Sequence, residues 1–454
     1  MGIRRSGERN KRFARVNYIK DPSVYARRHV FFLKRKRMSF SFAQRRVDAE
    51  RTDKKDGQKG RPEKMTERMA ERRTERITER TDRMRKTNRN RKQMAAVIFA
   101  LSLGITACGG AEGAGTEAGT ETAGFRMITD GSGREVEIPE TVERAVCVGV
   151  GALRYSCYME AADRIVGVED YETKPGMDRL YQYVNFERFQ ELPVIGANGE
   201  PYAEEIIAAD PQVIVLSAYA SVDPEELSRQ TGIPVVEVPG SDTTLDDKAY
   251  ETIRILGELY GKEDRAEELT AYLKGIEADL SARTETIPPE ERPSVYIGGV
   301  SFQGAHGFEG TEAHYGPFEL IGANNLADTV GQEGAFDVDP EQVLVWDPDL
   351  IFLDYNGMDL IREDVSKNPE FYSALTAVQE GKVYSQISFR SYASNLETAL
   401  ADAYYAAWVM FPEEFSDVDY EEKTGEIFEM LLGSDPYEDL KEAGYEFRSI
   451  QIGE

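Results

Sequence analysis

Residues 204–216, EEIIAADPQVIVL, and residues 341–353, EQVLVWDPDLIFL, match in kind position by position. In each, an acid-led apolar stretch runs up to Asp-Pro and an unbroken apolar run follows. Proline disfavours the helical conformation in the residue before it, so each repeat predicts a short helix stopped at the Asp-Pro turn and then a strand. Strands apolar on both faces belong in parallel sheets covered by helices. Working outward, each repeat is followed by a polar loop and a second strand opened by a Gly turn, at 233–238 and 382–387. Each lobe also begins alike, with a strand running into glycines: 145–150 before Gly151, and 294–297 before Gly298 and Gly299. This doubling predicts an α/β fold of two similar lobes with mainly parallel sheets.

Between the lobes the pattern turns helical. Residues 246–259 carry Ile253, Leu256 and Leu259 on one side and close at Gly261, and residues 264–284 carry Leu269, Leu273, Ile276 and Leu280 at three- and four-residue spacing. The second segment would span roughly 31 Å at about 1.5 Å per residue, long enough to join two lobes. Pro288 and Pro289 end it. The expected boundaries are an N-terminal lobe over 125–245, a helical connection over 246–291 and a C-terminal lobe over 292–454. Ligands of open α/β sheets bind at the carboxyl ends of the strands, which places a ligand cleft between the lobes.

Charge divides the chain. Residues 1–107 hold 32 Lys/Arg against 12 Asp/Glu, while residues 108–454 hold 23 against 70, so the overall charge of -27 describes neither part. A body this acidic lacks the cations that nucleic-acid binding requires. Residues 1–83 are basic and poor in apolar residues, and read as disordered or as no part of the natural product. From Met84 a cationic stretch leads into the apolar run 94–104, so residues 84–107 read as a signal peptide, too short to span a membrane. The sequence Ile105-Thr106-Ala107-Cys108 followed by two glycines resembles the lipobox of bacterial lipoproteins. It implies a lipid on Cys108, a flexible linker over 108–124, and an extracytoplasmic protein anchored to the bacterial cell membrane by that lipid alone. Three cysteines exclude a disulfide scaffold and any multi-cysteine zinc or iron–sulfur site. In such a compartment Cys147 and Cys157 could pair, although Cys147 sits in an apolar run where a buried free thiol is common.

The candidate cleft residues follow the predicted strands. Arg154 and Tyr155 follow the first Gly-rich exit, and a guanidinium there suits a carboxylate, phosphate or oxyanion; the bland alternative is a surface arginine at a helix start. Tyr219, Tyr355 and Asn356 follow the two repeated strands, and Arg390, Tyr392 and Asn395 follow the later strand of the second lobe. Aromatic walls with a few polar groups suit a large planar or chelated ligand, and equally suit packing between lobes. His306, with His314 and Tyr315 downstream, is a hydrogen-bonding cleft residue, a direct metal ligand or a residue that stabilises its own loop. Tyr404, Tyr405 and Trp408 read as helix core. There is no GxSxG, P-loop or HExxH pattern, and with 70 acids in the body adjacent carboxylates carry no catalytic signal.

Four segments together, 128–139, 149–170, 298–318 and 392–415, resemble the substrate-binding lipoproteins of iron-compound ABC importers, the rigid-helix class that includes ferric-siderophore and vitamin B12 binders. The resemblance keeps its order over about 125–435. It implies two lobes bridged by a helix with small movement on binding, a monomer without enzymatic activity, an iron chelate as transported ligand, and delivery to a permease driven by a cytoplasmic ATPase. It also implies docking carboxylates, for which Glu225, Glu226, Asp359 and Glu363, in the loops after the repeated strands, are the candidates. The sequence departs from the class at Val150-Gly151 and before Asn395, positions that bear on the ligand. Cobalamin, haem, or an oxyanion such as molybdate or tungstate are the alternatives, and a surface α/β hydrolase or an adhesin the readings outside transport.

Overall fold

The computed structural model describes residues 124–240 and 244–453. The basic leader, the signal peptide, Cys108 and nearly all of the linker lie outside the described residues.

The first lobe opens with an antiparallel pair, β1 (Phe125–Thr129) and β2 (Glu135–Pro139). Its main sheet has six strands: β3 (Ala145–Val148), β4 (Ile165–Glu169), β5 (Val194–Ala197), β6 (Glu200–Pro201), β7 (Val213–Ser217) and β8 (Val235–Val238), in the order β6-β5-β4-β3-β7-β8. All neighbours run parallel except β5 and β6. Three of its helices are α1 (Ala152–Tyr158), α2 (Ala203–Ala209) and α3 (Pro224–Thr231). The connection follows as α4 (Asp247–Tyr260), capped by the Asp246 carboxylate accepting from the Ala249 amide, and α5 (Glu263–Thr284).

The second lobe is built on β9 (Ser294–Gly298), β10 (Gly310–Ala313), β11 (Asn324–Asn325), β12 (Gly334–Asp337), β13 (Leu350–Asp354) and β14 (Val383–Gln386). Strands β11-β9-β13-β14 form an all-parallel sheet, and β10 pairs with β12 antiparallel. Its main helices are α6 (Pro340–Trp346), α7 (Met358–Lys367), α8 (Leu396–Met410) and α9 (Tyr420–Leu432).

The repeat is realised in the fold. Helix α2 ends at Asp210 and α6 at Asp347, both left-handed with φ of 54° and 43°, and the strands that follow, β7 and β13, are buried at every residue. Aspartate tolerates this conformation better than most residues with a Cβ. One strand end differs from expectation: β3 stops at Val148 rather than 150, because Gly149 and Gly151 take φ of 84° and 91° and turn the chain. The four candidate docking acids are not in loops. Glu225 and Glu226 open α3, where Glu226 pairs with Arg229, and Asp359 and Glu363 lie on α7, where they pair with Arg362 and Lys367.

One hydrophobic core runs through both lobes. It joins Cys147 and Val215 of the first sheet to Val295 and Phe352 of the second by way of Ile253 and Leu256 on α4, Leu269 and Leu273 on α5, and Ala399 and Tyr405 on α8. Two smaller cores belong one to each lobe. Tyr404 and Tyr405 are core, as expected, whereas Trp408 is 39% exposed. Among the described residues no helix is long and apolar enough to cross a membrane.

Cys147 and Cys157 are both free and buried, so no disulfide joins them. Burial pushes the Cys147 thiol up to about 12, and its Sγ lies 3.4 Å from the Ser156 hydroxyl. Such thiols are poor nucleophiles. Iodoacetamide is expected to leave both unmodified in native buffer and to label both in denaturant, read by peptide mass; rapid native labelling would contradict the packing.

Candidate functional site

The carboxyl ends of β3, β7 and β8 meet the segment that follows Arg390 in the second lobe. Between them lies a small pocket of about 20 Å³ lined by Arg154, Tyr155, Ser217, Tyr219, Ala393 and Ser394, among others. That is room for one or two waters. Local structure explains why the first lobe presents these groups. The buried Glu169 carboxylate, at the end of β4, accepts from the Gly149 amide at 2.8 Å and the Gly199 amide at 2.6 Å, tying together the exits of β3, β4 and β5. The left-handed Gly151 then starts α1, which carries Arg154 and Tyr155.

Arg154 is 1% exposed. Its Nη1 donates to the Ser394 carbonyl at 2.8 Å, and its Nη2 to the Ser391 and Tyr392 carbonyls at 3.0 and 2.6 Å. The guanidinium lies 5.0 Å from the centre of the Tyr181 ring, and its Nε has no protein partner. Burial opposes its charge, but the surrounding phenols and the Glu397 carboxylate outweigh this and hold the group above its ordinary value. Arg154 therefore reaches across the cleft into the second lobe.

Other contacts converge on the same segment. Tyr171 stacks on Tyr392 with ring centres 4.2 Å apart and planes 10° from parallel, and Arg179 lies against both rings. The Ser391 hydroxyl donates to Asp178 at 2.6 Å. Beside it, the Tyr158 hydroxyl accepts from the Leu396 amide at 3.1 Å and donates to Glu397. Within the second lobe, Asn395 donates through Nδ2 to the Phe389 and Ser391 carbonyls, and Arg390 forms a two-pronged ion pair with the buried Glu312 of β10.

The sequence candidates thus separate into two groups. Arg154, Tyr155 and Tyr219 line the pocket, Tyr219 lying against Gly240, whereas Arg390, Tyr392 and Asn395 do not line it but flank Ala393 and Ser394, which do. Tyr315 is fully buried, packed edge-on against Phe318 and Phe389. Tyr355 is engaged elsewhere: its hydroxyl donates to the Glu446 carbonyl at 2.7 Å and its ring packs on Tyr445. The Asn356 amide is held by Asp354 and Ser388. His306 stacks on Phe302, with Nδ1 2.7 Å from Asp337 and Nε2 2.8 Å from the Phe302 carbonyl. An acceptor against each ring nitrogen leaves no lone pair pointing outward, and this placement does not suit His306 as a metal ligand. His314 has different neighbours, Glu319, Asp328 and Glu333.

Sequence reasoning missed Tyr171, Asp178 and Arg179. Tyr171 stands two residues past the end of β4, and the placement that singles out Tyr219 past β7 would have found it had β4 been recognised as a strand.

Residues 158–386 match the sequence model of the family described as periplasmic binding protein. The molybdate-binding protein MolA of Haemophilus influenzae is 24% identical over 329 residues, 67% of this chain and 90% of that protein. The ABC transporter substrate-binding lipoprotein YvrC of Bacillus subtilis is 23% identical over 214 residues, covering 46% of this chain and 64% of YvrC. A periplasmic solute binding protein from Veillonella parvula superposes with a TM-score of 0.56 at 20% identity, over 69% of this chain and 94% of that one. The matched span covers both lobes' repeats and the helices between them: the chain belongs to the periplasmic binding protein family, the non-enzymatic substrate-binding components of ABC importers.

Proposed function

We propose that the protein captures a small oxyanion of the molybdate class between its lobes and passes it to an ABC permease. The observation that carries this reading is the size of the cleft. A pocket of about 20 Å³ lined by an arginine, tyrosines and serines admits a compact anion after a small parting of the lobes. A chelate of drug-like size needs a cavity of roughly 300–1,000 Å³. The relationship to a molybdate-binding protein over most of that protein's length points the same way. The iron-chelate reading rests on the aromatic lining by Tyr155 and Tyr219, with Tyr171 and Tyr392 beside it, and requires the lobes to separate widely. In the full reading the lipid on Cys108 tethers a monomer to the membrane, a feature in line with the lipoprotein among its relatives. Glu225, Glu226, Asp359 and Glu363 then meet cations on the permease.

A thermal-shift panel on the full chain separates the ligands. A ligand bound only by the folded state at about 100 times its Kd adds roughly 2.7 kcal/mol. Molybdate and tungstate are expected to raise the melting temperature by a few degrees, with ferric siderophores, haemin and cobalamin silent. A shift with ferric chelates alone would overturn the oxyanion reading in favour of the chelate.

A further inference from the structure

The segment Ser391–Ser394 is both wall and fastening of the cleft. Two successive residues with a Cβ, Tyr392 and Ala393, hold φ of 50° and 70°, a region disfavoured for such residues. A conformation of this kind persists only where its surroundings over-determine it, and here those surroundings come mostly from the other lobe. Arg154 engages three carbonyls of the segment, Tyr171 covers the Tyr392 ring, and Asp178 holds Ser391. Ala393 and Ser394 close the pocket, while Tyr392 is 40% exposed at its rim. Neutral carbonyls are weaker partners for a guanidinium than an oxyanion is, because hydrogen bonds between two ionised groups are shorter and stronger.

We propose that residues 391–394 are the gate of the cleft, that Tyr171 and Asp178 are positioning residues that hold it shut, and that an entering anion takes over the Arg154 donors occupied by the segment's carbonyls. The gate and its two positioning residues stand on the contacts alone; the exchange at Arg154 rests on the oxyanion reading. The gate sets ligand size. Once released, the segment reseats around a compact anion, but a bulky ligand keeps Tyr392 from its stack on Tyr171.

Hydrogen exchange on the ligand-free full chain tests the gate without any ligand. Tyr171→Ala is expected to raise exchange in peptides spanning 389–396 by about tenfold, with the central strands of both sheets unchanged. Tyr171→Phe, which keeps the stack and removes only the hydroxyl contact to Glu169, restores protection. Ser391→Ala, which removes only the bond to Asp178, gives an intermediate rise and guards against a misfolded Tyr171 variant. Unchanged protection of 389–396 in Tyr171→Ala and Ser391→Ala overturns the gate. Stopped-flow mixing with molybdate then tests the exchange: Ser391→Ala should speed association by about tenfold, and unchanged association overturns it. If the unmodified chain binds no molybdate, the oxyanion reading and the exchange at Arg154 fall, while the gate still stands or falls by hydrogen exchange alone.

Discussion

Replacing Arg154 with alanine is expected to cost about 3–5 kcal/mol of stability, the range for removing one partner from a buried charged network. The substitution leaves the Ser391, Tyr392 and Ser394 carbonyls without their donors. It also strips the buried Glu397 and Glu172 carboxylates of a cation whose field pulls both down. Arg154→Lys should recover little, since one ammonium cannot reproduce a planar fork that reaches three carbonyls. Denaturant titration of the full chain reads the effect directly, and a fall of roughly 10 °C in melting temperature is the thermal counterpart. A loss below about 0.5 kcal/mol, typical of a surface substitution, would show that the lobes meet some other way.

The second large effect is a dependence on pH. Burial pushes Asp354 up from 3.8 to about 7, with the Ser388 hydroxyl and the Asn356 amide pulling the other way. Burial likewise pushes Glu172 up from 4.5 to about 7, against the Tyr181 hydroxyl and two arginines. A carboxyl with a raised pKa binds its proton more tightly in the folded state than in the unfolded chain. Stability from these groups is therefore fully present only below their unfolded values of 3.8 and 4.5 and is lost as pH rises to about 7, the opposite of a salt-bridged carboxylate. For Asp354 the shift corresponds to roughly 4 kcal/mol at most, at about 1.4 kcal/mol per unit. Asp354→Asn keeps an acceptor for Ser388 and Asn356 and removes the ionisation. It should match the unmodified chain at pH 4 and exceed it by about 2–4 kcal/mol at pH 8. A difference between the two that is the same at both pH values would contradict the burial of an ionisable carboxyl here.

The parts of the molecule legible in the sequence are those fixed by local rules. Asp-Pro, one polar residue and then four apolar residues can hardly be anything but a helix stop and a buried strand, and both repeats folded so. The spacing of Leu269, Leu273, Ile276 and Leu280 placed α5 to within a residue. The site was half legible. Arg154 and Tyr392 were singled out by their place after strands, but nothing local tells that Arg154 would be answered by backbone carbonyls 240 positions away, because carbonyls carry no sequence identity. Tyr355 and His306 followed the same placement rule and were claimed by Glu446 and Asp337, partners distant in sequence. The stack of Tyr171 on Tyr392 was invisible for a similar reason: a tyrosine looks the same whether it faces solvent, core or the other lobe.

The continuous core through α4, α5 and α8 also bears on how an importer reads this protein. A binding protein whose halves share one interior has no loose hinge through which an occupied cleft could announce itself by a wide swing. On the proposed reading, occupancy would instead be written in small local changes at the rim of the pocket, beside the exposed Tyr392 ring. On the same reading, a transporter would then meet a nearly rigid surface, and telling loaded from empty carriers would be a matter of contact chemistry and residence time rather than of shape.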